Sequence, residues 1–160
     1  MKIRKRPEGG FTVIELLVVI VIVCMLGAFV GLAYSGVQTK HRNAERQNDI
    51  DQLKSQLEDY YAEATNYPTL ANLNDFAWRA AHLKHVGTDT FRDPSWKASI
   101  AACTAKAQPV PATSPTADCY SYQVTGPDGS PCDNAATMCA HYTLTATLEG
   151  GEKYVKTSLN

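Results

Sequence analysis

Gly9-Gly10-Phe11-Thr12-Val13-Ile14-Glu15-Leu16-Leu17-Val18-Val19-Ile20 is the stretch on which the reading of this chain turns. A pair of glycines closes a short basic segment. A phenylalanine follows, and one carboxylate interrupts an otherwise apolar run. Residues 1–10 carry Lys2, Arg4, Lys5 and Arg6 against Glu8. A secretory signal puts its apolar region before its cleavage site and loses both together. Here the order is reversed. A cut between Gly10 and Phe11 removes the positive charge and leaves the apolar segment on the mature chain.

Moving outward, residues 16–38 contain no charged side chain. A helix of about 20 apolar residues crosses a bilayer, so this segment is expected to span one. The basic cluster before it predicts a cytoplasmic N-terminus and an outward-facing remainder. Gly27 and Gly31 form a Gly-x-x-x-Gly pair, which lets helices approach closely in an apolar setting. Cys24 reads as one more small apolar side chain. Glu15 is the residue that needs a reason, because an ionised carboxylate in hydrocarbon is costly. Cleavage before Phe11 would create an α-ammonium group about one helical turn away. Glu15 is then its anion, within one chain or between neighbouring chains, where the pair would set the axial stagger.

The helical pattern continues beyond the apolar segment. No proline occurs between Pro7 and Pro68, and Ile50, Leu53, Leu57, Tyr60, Tyr61 and Ala64 recur at spacings of three and four. Lys40, Arg42, Glu45, Arg46, Asp49, Asp51, Lys54, Glu58 and Asp59 are assigned to the remaining faces, with surface pairing among Asp49, Asp51 and Lys54. One helix from about Thr12 to about Glu63 results, apolar all round at first and then on one side. Asn66-Tyr67-Pro68-Thr69 ends it, since the residue before a proline is driven out of the helical region. A second helix is expected over residues 70–83. Residues 87–96 read as loop, with a turn at Asp93-Pro94, and residues 108–117 read as a proline-rich surface segment.

Period-two alternation takes over at Tyr120 to Val124, His141 to Leu148 and Glu152 to Ser158, with Gly150-Gly151 as a hairpin turn. A three-stranded antiparallel sheet is expected, one face of it covering the amphipathic half of the helix. The fold class is therefore α+β, a long N-terminal helix packed on a small C-terminal antiparallel sheet. Its parts are a leader at 1–10, a membrane segment at 11–38 and a globular part at 39–160.

Cys103, Cys119, Cys132 and Cys139 form an even set suited to two disulfides and an oxidising exterior. No Cys-x-x-Cys pair suggests zinc. His41, His82, His85 and His141 lack neighbours that would make a catalytic or metal-binding set, so no enzyme activity and no cofactor are expected. The formal net charge is −1, and without the basic leader the body is mildly acidic, which argues against nucleic acid as a specific partner.

The basic leader, the glycine before the cut, Phe11 after it and Glu15 four positions on resemble the N-terminus of type IV pilins and of the pseudopilins of type II secretion and competence systems. The resemblance is close over residues 5–34, and Asn66-Tyr67-Pro68-Thr69 is similar to the end of the long helix in major pseudopilins. It implies a pilin fold, cleavage after Gly10 by a membrane aspartic prepilin peptidase, N-methylation of Phe11, and contact with an inner-membrane assembly platform. It also implies assembly with identical or related subunits into a helical filament, where Glu15 recognises a neighbour's amino terminus. Many members carry a proline where this chain has Leu32. Major pseudopilins often hold calcium in an acidic C-terminal loop, and here Asp118, Asp128 and Asp133 show no ligand pattern. The spacing of the cysteines favours Cys103 with Cys119 and Cys132 with Cys139, among three possible pairings.

A structural subunit of a type IV pilus, of the major type by its intact helix and Glu15, is the leading expectation; a secretion or DNA-uptake pseudopilin and a membrane-anchored binding module are the alternatives. Substituting Gly10 by valine is expected to leave the full-length precursor on an immunoblot of membranes. A normally processed band would move the cut site away from Gly10.

Overall fold

The computed structural model describes residues 10–106 and 108–160, apart from the side chains of residues 29–35. The chain forms two compact units, one ending at Thr39 and the other running from Lys40 to Asn160. Helix α1, Val13–Ala64, contributes residues to both. Two short helices follow, α2 at Leu70–Asn74 and α3 at Phe76–His82. The strands are β1 at Thr104–Ala105, β2 at Gln108–Pro109, β3 at Ser121–Thr125, β4 at His141–Thr147 and β5 at Lys153–Thr157. Strands β1 and β2 make a small antiparallel ribbon, and β3-β4-β5 make the three-stranded antiparallel sheet.

In the second unit, the expected stripe of α1 meets the expected face of the sheet. Ile50, Leu53 and Leu57 are buried with Tyr120, Tyr122, Tyr142, Leu144 and Ala146. Tyr122 pairs with Leu144 across β3 and β4, and Ala146 with Tyr154 across β4 and β5. The alternation of β4 therefore carries one apolar row onto the helix. Tyr154 and Lys156 extend that face as polar contacts, both reaching Asp51.

The helix ends as the sequence predicts, and tyrosines secure the end. Thr65 adopts a left-handed conformation with φ 59°. Tyr67 is fully buried, stacked on Tyr61 and edge-on to Tyr142. The hydroxyls of Tyr67 and Tyr142 both donate to the Glu58 carboxylate, at 2.9 and 2.7 Å, and the Tyr122 hydroxyl donates to the Pro68 carbonyl at 2.7 Å. Burial, reinforced by the Glu58 carboxylate, pushes the Tyr67 hydroxyl up to about 12.

Four expectations are corrected. The second helix is two helices, because Asp75 ends α2 with its N–H and caps α3 with its side chain, which accepts from Ala77 and Trp78. The proline-rich segment is not simply surface. Pro109 lies in β2, Val110 and Ala112 are buried, and Ala112 bridges Ser121. Arg46 and Asp49 are not on an outer face. They are 1% and 8% exposed, on the side of α1 that packs. The surface pairing among Asp49, Asp51 and Lys54 is absent from the described ion pairs, since Asp49 is taken by Tyr120 and Asp51 by Lys156 and Tyr154.

Arg46 makes a two-pronged ion pair with Asp93, Nε to Oδ2 at 2.7 Å and Nη2 to Oδ1 at 2.9 Å, both side chains 1% exposed. Asn43 and Ser95 accept further bonds from it, so the guanidinium is well satisfied. Arg42 similarly engages Glu149 through both carboxylate oxygens. Beside this pair, Asp49 accepts the Tyr120 hydroxyl at 2.7 Å. Burial lifts the Asp49 carboxyl to about 6, assisted by Glu45, Asp93 and Asp89 and opposed by the Tyr120 bond.

Removing one member of a buried pair leaves an uncompensated charge, which costs about 3–5 kcal/mol. Arg46→Ala is expected to lose that much in denaturant unfolding of the detergent-solubilised chain, and Arg46→Met with Asp93→Leu to recover most of it. A carboxyl raised on folding takes up a proton between the unfolded value, about 4, and the folded value. The native state then binds more protons than the unfolded one, so stability falls as pH rises from about 4 to about 6. Asp49→Asn is expected to flatten that fall, read from unfolding midpoints across the window.

Candidate functional site

The first unit carries the residues singled out at the N-terminus. Gly10, Phe11 and Thr12 precede α1, and Phe11 is 85% exposed. Thr12 caps the helix. Its hydroxyl accepts the Glu15 N–H at 3.2 Å, while the Glu15 carboxylate accepts both the Thr12 N–H and the Thr12 hydroxyl at 2.8 Å. The first helical bond runs from the Leu16 N–H to the Thr12 carbonyl. This reciprocal arrangement satisfies two N–H groups that have no partner inside a helix, and it places a negative charge where the helix dipole favours one.

The arrangement amends the expectation for Glu15. The carboxylate has a partner before any cleavage, in its own chain. The signal was present in Thr12-Val13-Ile14-Glu15, the Ser/Thr-x-x-Glu spacing of a capping box ahead of an apolar run. The box also fixes the peptide bond between Gly10 and Phe11 outside the helix.

Past the cap, every large apolar side chain from Val13 to Leu26 is at least 43% exposed. Such a continuous apolar surface demands a cover of lipid or protein. Among the described residues no helix is long and apolar enough to cross a membrane. The expected span at 16–38 includes residues 29–35, whose side chains lie outside the described residues. Gly27 has open space where a Cβ would stand, which leaves room for another helix, and the surroundings of Gly31 lie outside the described residues. Cys24 is free and exposed.

In the second unit, Cys103 is bonded to Cys119 and Cys132 to Cys139. The first disulfide anchors a small core with Ala112, Trp96 and Ile100. The second closes a loop held to the end of α1: Cys139 accepts the Tyr67 N–H through its carbonyl, and Asn134 bonds both the Tyr67 carbonyl and the Cys139 N–H.

Among the described residues no three His, Cys, Asp or Glu side chains gather in a way that could hold a metal ion. Asp133 accepts the N–H groups of Ala135, Ala136 and Thr137, and Asp128 bonds Ser130. These bonds hold both carboxyls below the usual carboxylate range. His82 stacks on Trp78 and bonds its carbonyl, so it serves α3 rather than pairing with His85.

Residues 5–31 match a family described as the prokaryotic N-terminal methylation motif. No curated protein and no solved structure matches the chain. The motif implies processing by a prepilin peptidase, membrane anchoring before assembly, and incorporation into pilus-type filaments; the proteins that carry it in this role are structural. The N-terminus of this chain, from its basic leader through the capped start of α1, is thus the class III leader of the type IV pilins and pseudopilins.

Proposed function

We propose that the chain is a prepilin cut between Gly10 and Phe11, N-methylated at Phe11, and assembled as a major-type subunit of a type IV pilus. The observation that carries this reading is the position of Glu15. Its carboxylate is already hydrogen-bonded to the Thr12 N–H, one residue from the atom that cleavage would turn into an α-ammonium group. A cut there brings a cation next to a carboxylate that is fixed in place. Neighbouring subunits in a filament offer the same cation at another height, so the one charge can select the register.

Residues 11–38 serve in this reading as membrane anchor and then as filament core. That accounts for an apolar surface with no cover among the described residues. Gly27 and Gly31 are the close-packing positions. The N-terminus stays cytoplasmic, and residues 39–160 form the outward head, where two disulfides persist in an oxidising exterior. An inner-membrane assembly platform, the prepilin peptidase and methylase, and other pilin subunits are the partners.

A pseudopilin of a secretion or DNA-uptake system is the second reading. Asn66-Tyr67-Pro68-Thr69, with Tyr67 buried and bonded to the Cys132–Cys139 loop, is the feature that favours it.

Intact-mass measurement on chain from peptidase-proficient cells is expected to show loss of ten residues and gain of one methyl group. A mature N-terminus beyond residue 30 would discard the apolar segment and overturn the filament role. Glu15→Ala is expected to be cut normally yet to be under-methylated or absent from sheared filaments. Wild-type filament yield from that variant would remove Glu15 from register selection.

A further inference from the structure

Arg79 is 5% exposed, on α3, yet it is satisfied very differently from Arg46. Two rings hold its guanidinium, Phe76 at 4.5 Å and Phe91 at 4.2 Å from their centroids. Its only hydrogen bonds among the described residues run from Nη1 and Nη2 to one oxygen, the Pro109 carbonyl, at 3.4 and 3.5 Å. An arginine has five N–H donors, so three are left without an acceptor among the described residues. Asp75 acts on the charge through space alone, because its carboxylate caps α3. Burial lowers the guanidinium only to about 10, so it is a cation at neutral pH.

This buried cation lines a cavity of about 100 Å³ together with Phe76, Phe91, Ala80, Gly87 and Thr88. A water's share of liquid volume is about 30 Å³, so the space takes a few waters or one small planar group. Apolar walls exclude strongly hydrated polyanions, while a flat fork of N–H donors matches a carboxylate. Ala80, Gly87 and Thr88 are exposed and form the mouth.

We propose that this cavity is a carboxylate-binding site with Arg79 as its anchor. The rings fix the guanidinium plane, so the free donors are presented without rotamer loss. The carboxylate comes either from a small free acid or from an acidic side chain of a second copy of this chain. The site lies wholly in the second unit and does not depend on the pilin reading.

The test is acetate titration of the full-length chain in detergent, against chloride at equal ionic strength. Saturating acetate is expected to raise Tm by roughly 2–5 °C. Arg79→Met is expected to abolish the rise. Ala80→Phe, which fills the mouth and leaves Arg79 in place, is expected to do the same, and it decides the matter if Arg79→Met does not fold. Equal shifts with chloride, no shift with acetate, or a shift that survives Ala80→Phe would overturn the site. With binding established, sedimentation separates the sources: acetate dissociates copies held by an acidic side chain and leaves a chain that binds a free acid unchanged.

Discussion

A helix with one apolar side is stable in water only where something covers that side, and past Lys40 the cover is the β3-β4-β5 sheet. Ile50, Leu53 and Leu57 supply the helical half of the contact, and Tyr122, Tyr142, Leu144 and Ala146 the sheet half. Burying each of the leucine and isoleucine side chains contributes about 1.5–3 kcal/mol. The contact also determines where polar groups go. Tyrosines dominate the sheet side, and their hydroxyls need acceptors once buried. Asp49, Glu58 and the Pro68 carbonyl provide them, so a polar network is laid directly over the apolar seam. Arg46 and Asp93 join the helix to the loop after α3 in the same way.

The periodic parts of this arrangement are legible in the sequence, because a period of three and four or of two is written in the residues themselves. The helix from Val13 to Ala64, its end at Asn66-Tyr67-Pro68, and all three strands of the larger sheet follow from that patterning. Polar residues that are buried for a partner are not legible this way. Arg46 and Asp49 look like surface positions on a helical wheel, and only the fold shows that Asp93 and Tyr120 stand opposite them, tens of residues away. Local polar signals fall between the two cases. Asp75 divides α2 from α3 by capping, and Thr12 with Glu15 forms a capping box; both could be read from short spacings. A two-residue ribbon such as β1 and β2 offers no period at all.

Glu15 has two sets of demands on it. The cap uses one oxygen, Oε2, to hold two donors at the start of α1, and a newly exposed α-ammonium group would call on the same carboxylate. A carboxylate has about four lone-pair directions, so the two uses are compatible. That capacity explains why a charge in an apolar segment can be held in place from the outset. The exposed face from Val13 to Leu26 stands apart from this, since it is left uncovered by the described residues.

The two disulfides span 16 and 7 residues. Each is a local staple, and neither ties α1 to the sheet. The contacts that do so join residues such as Asp49 and Tyr120, or Glu58 and Tyr142, across 71 and 84 positions. Closing such long spans is the slow part of folding. The disulfides therefore fix their own short loops and leave these long spans to packing. Reducing both would loosen the C-terminal loops while the seam between helix and sheet keeps its own contacts.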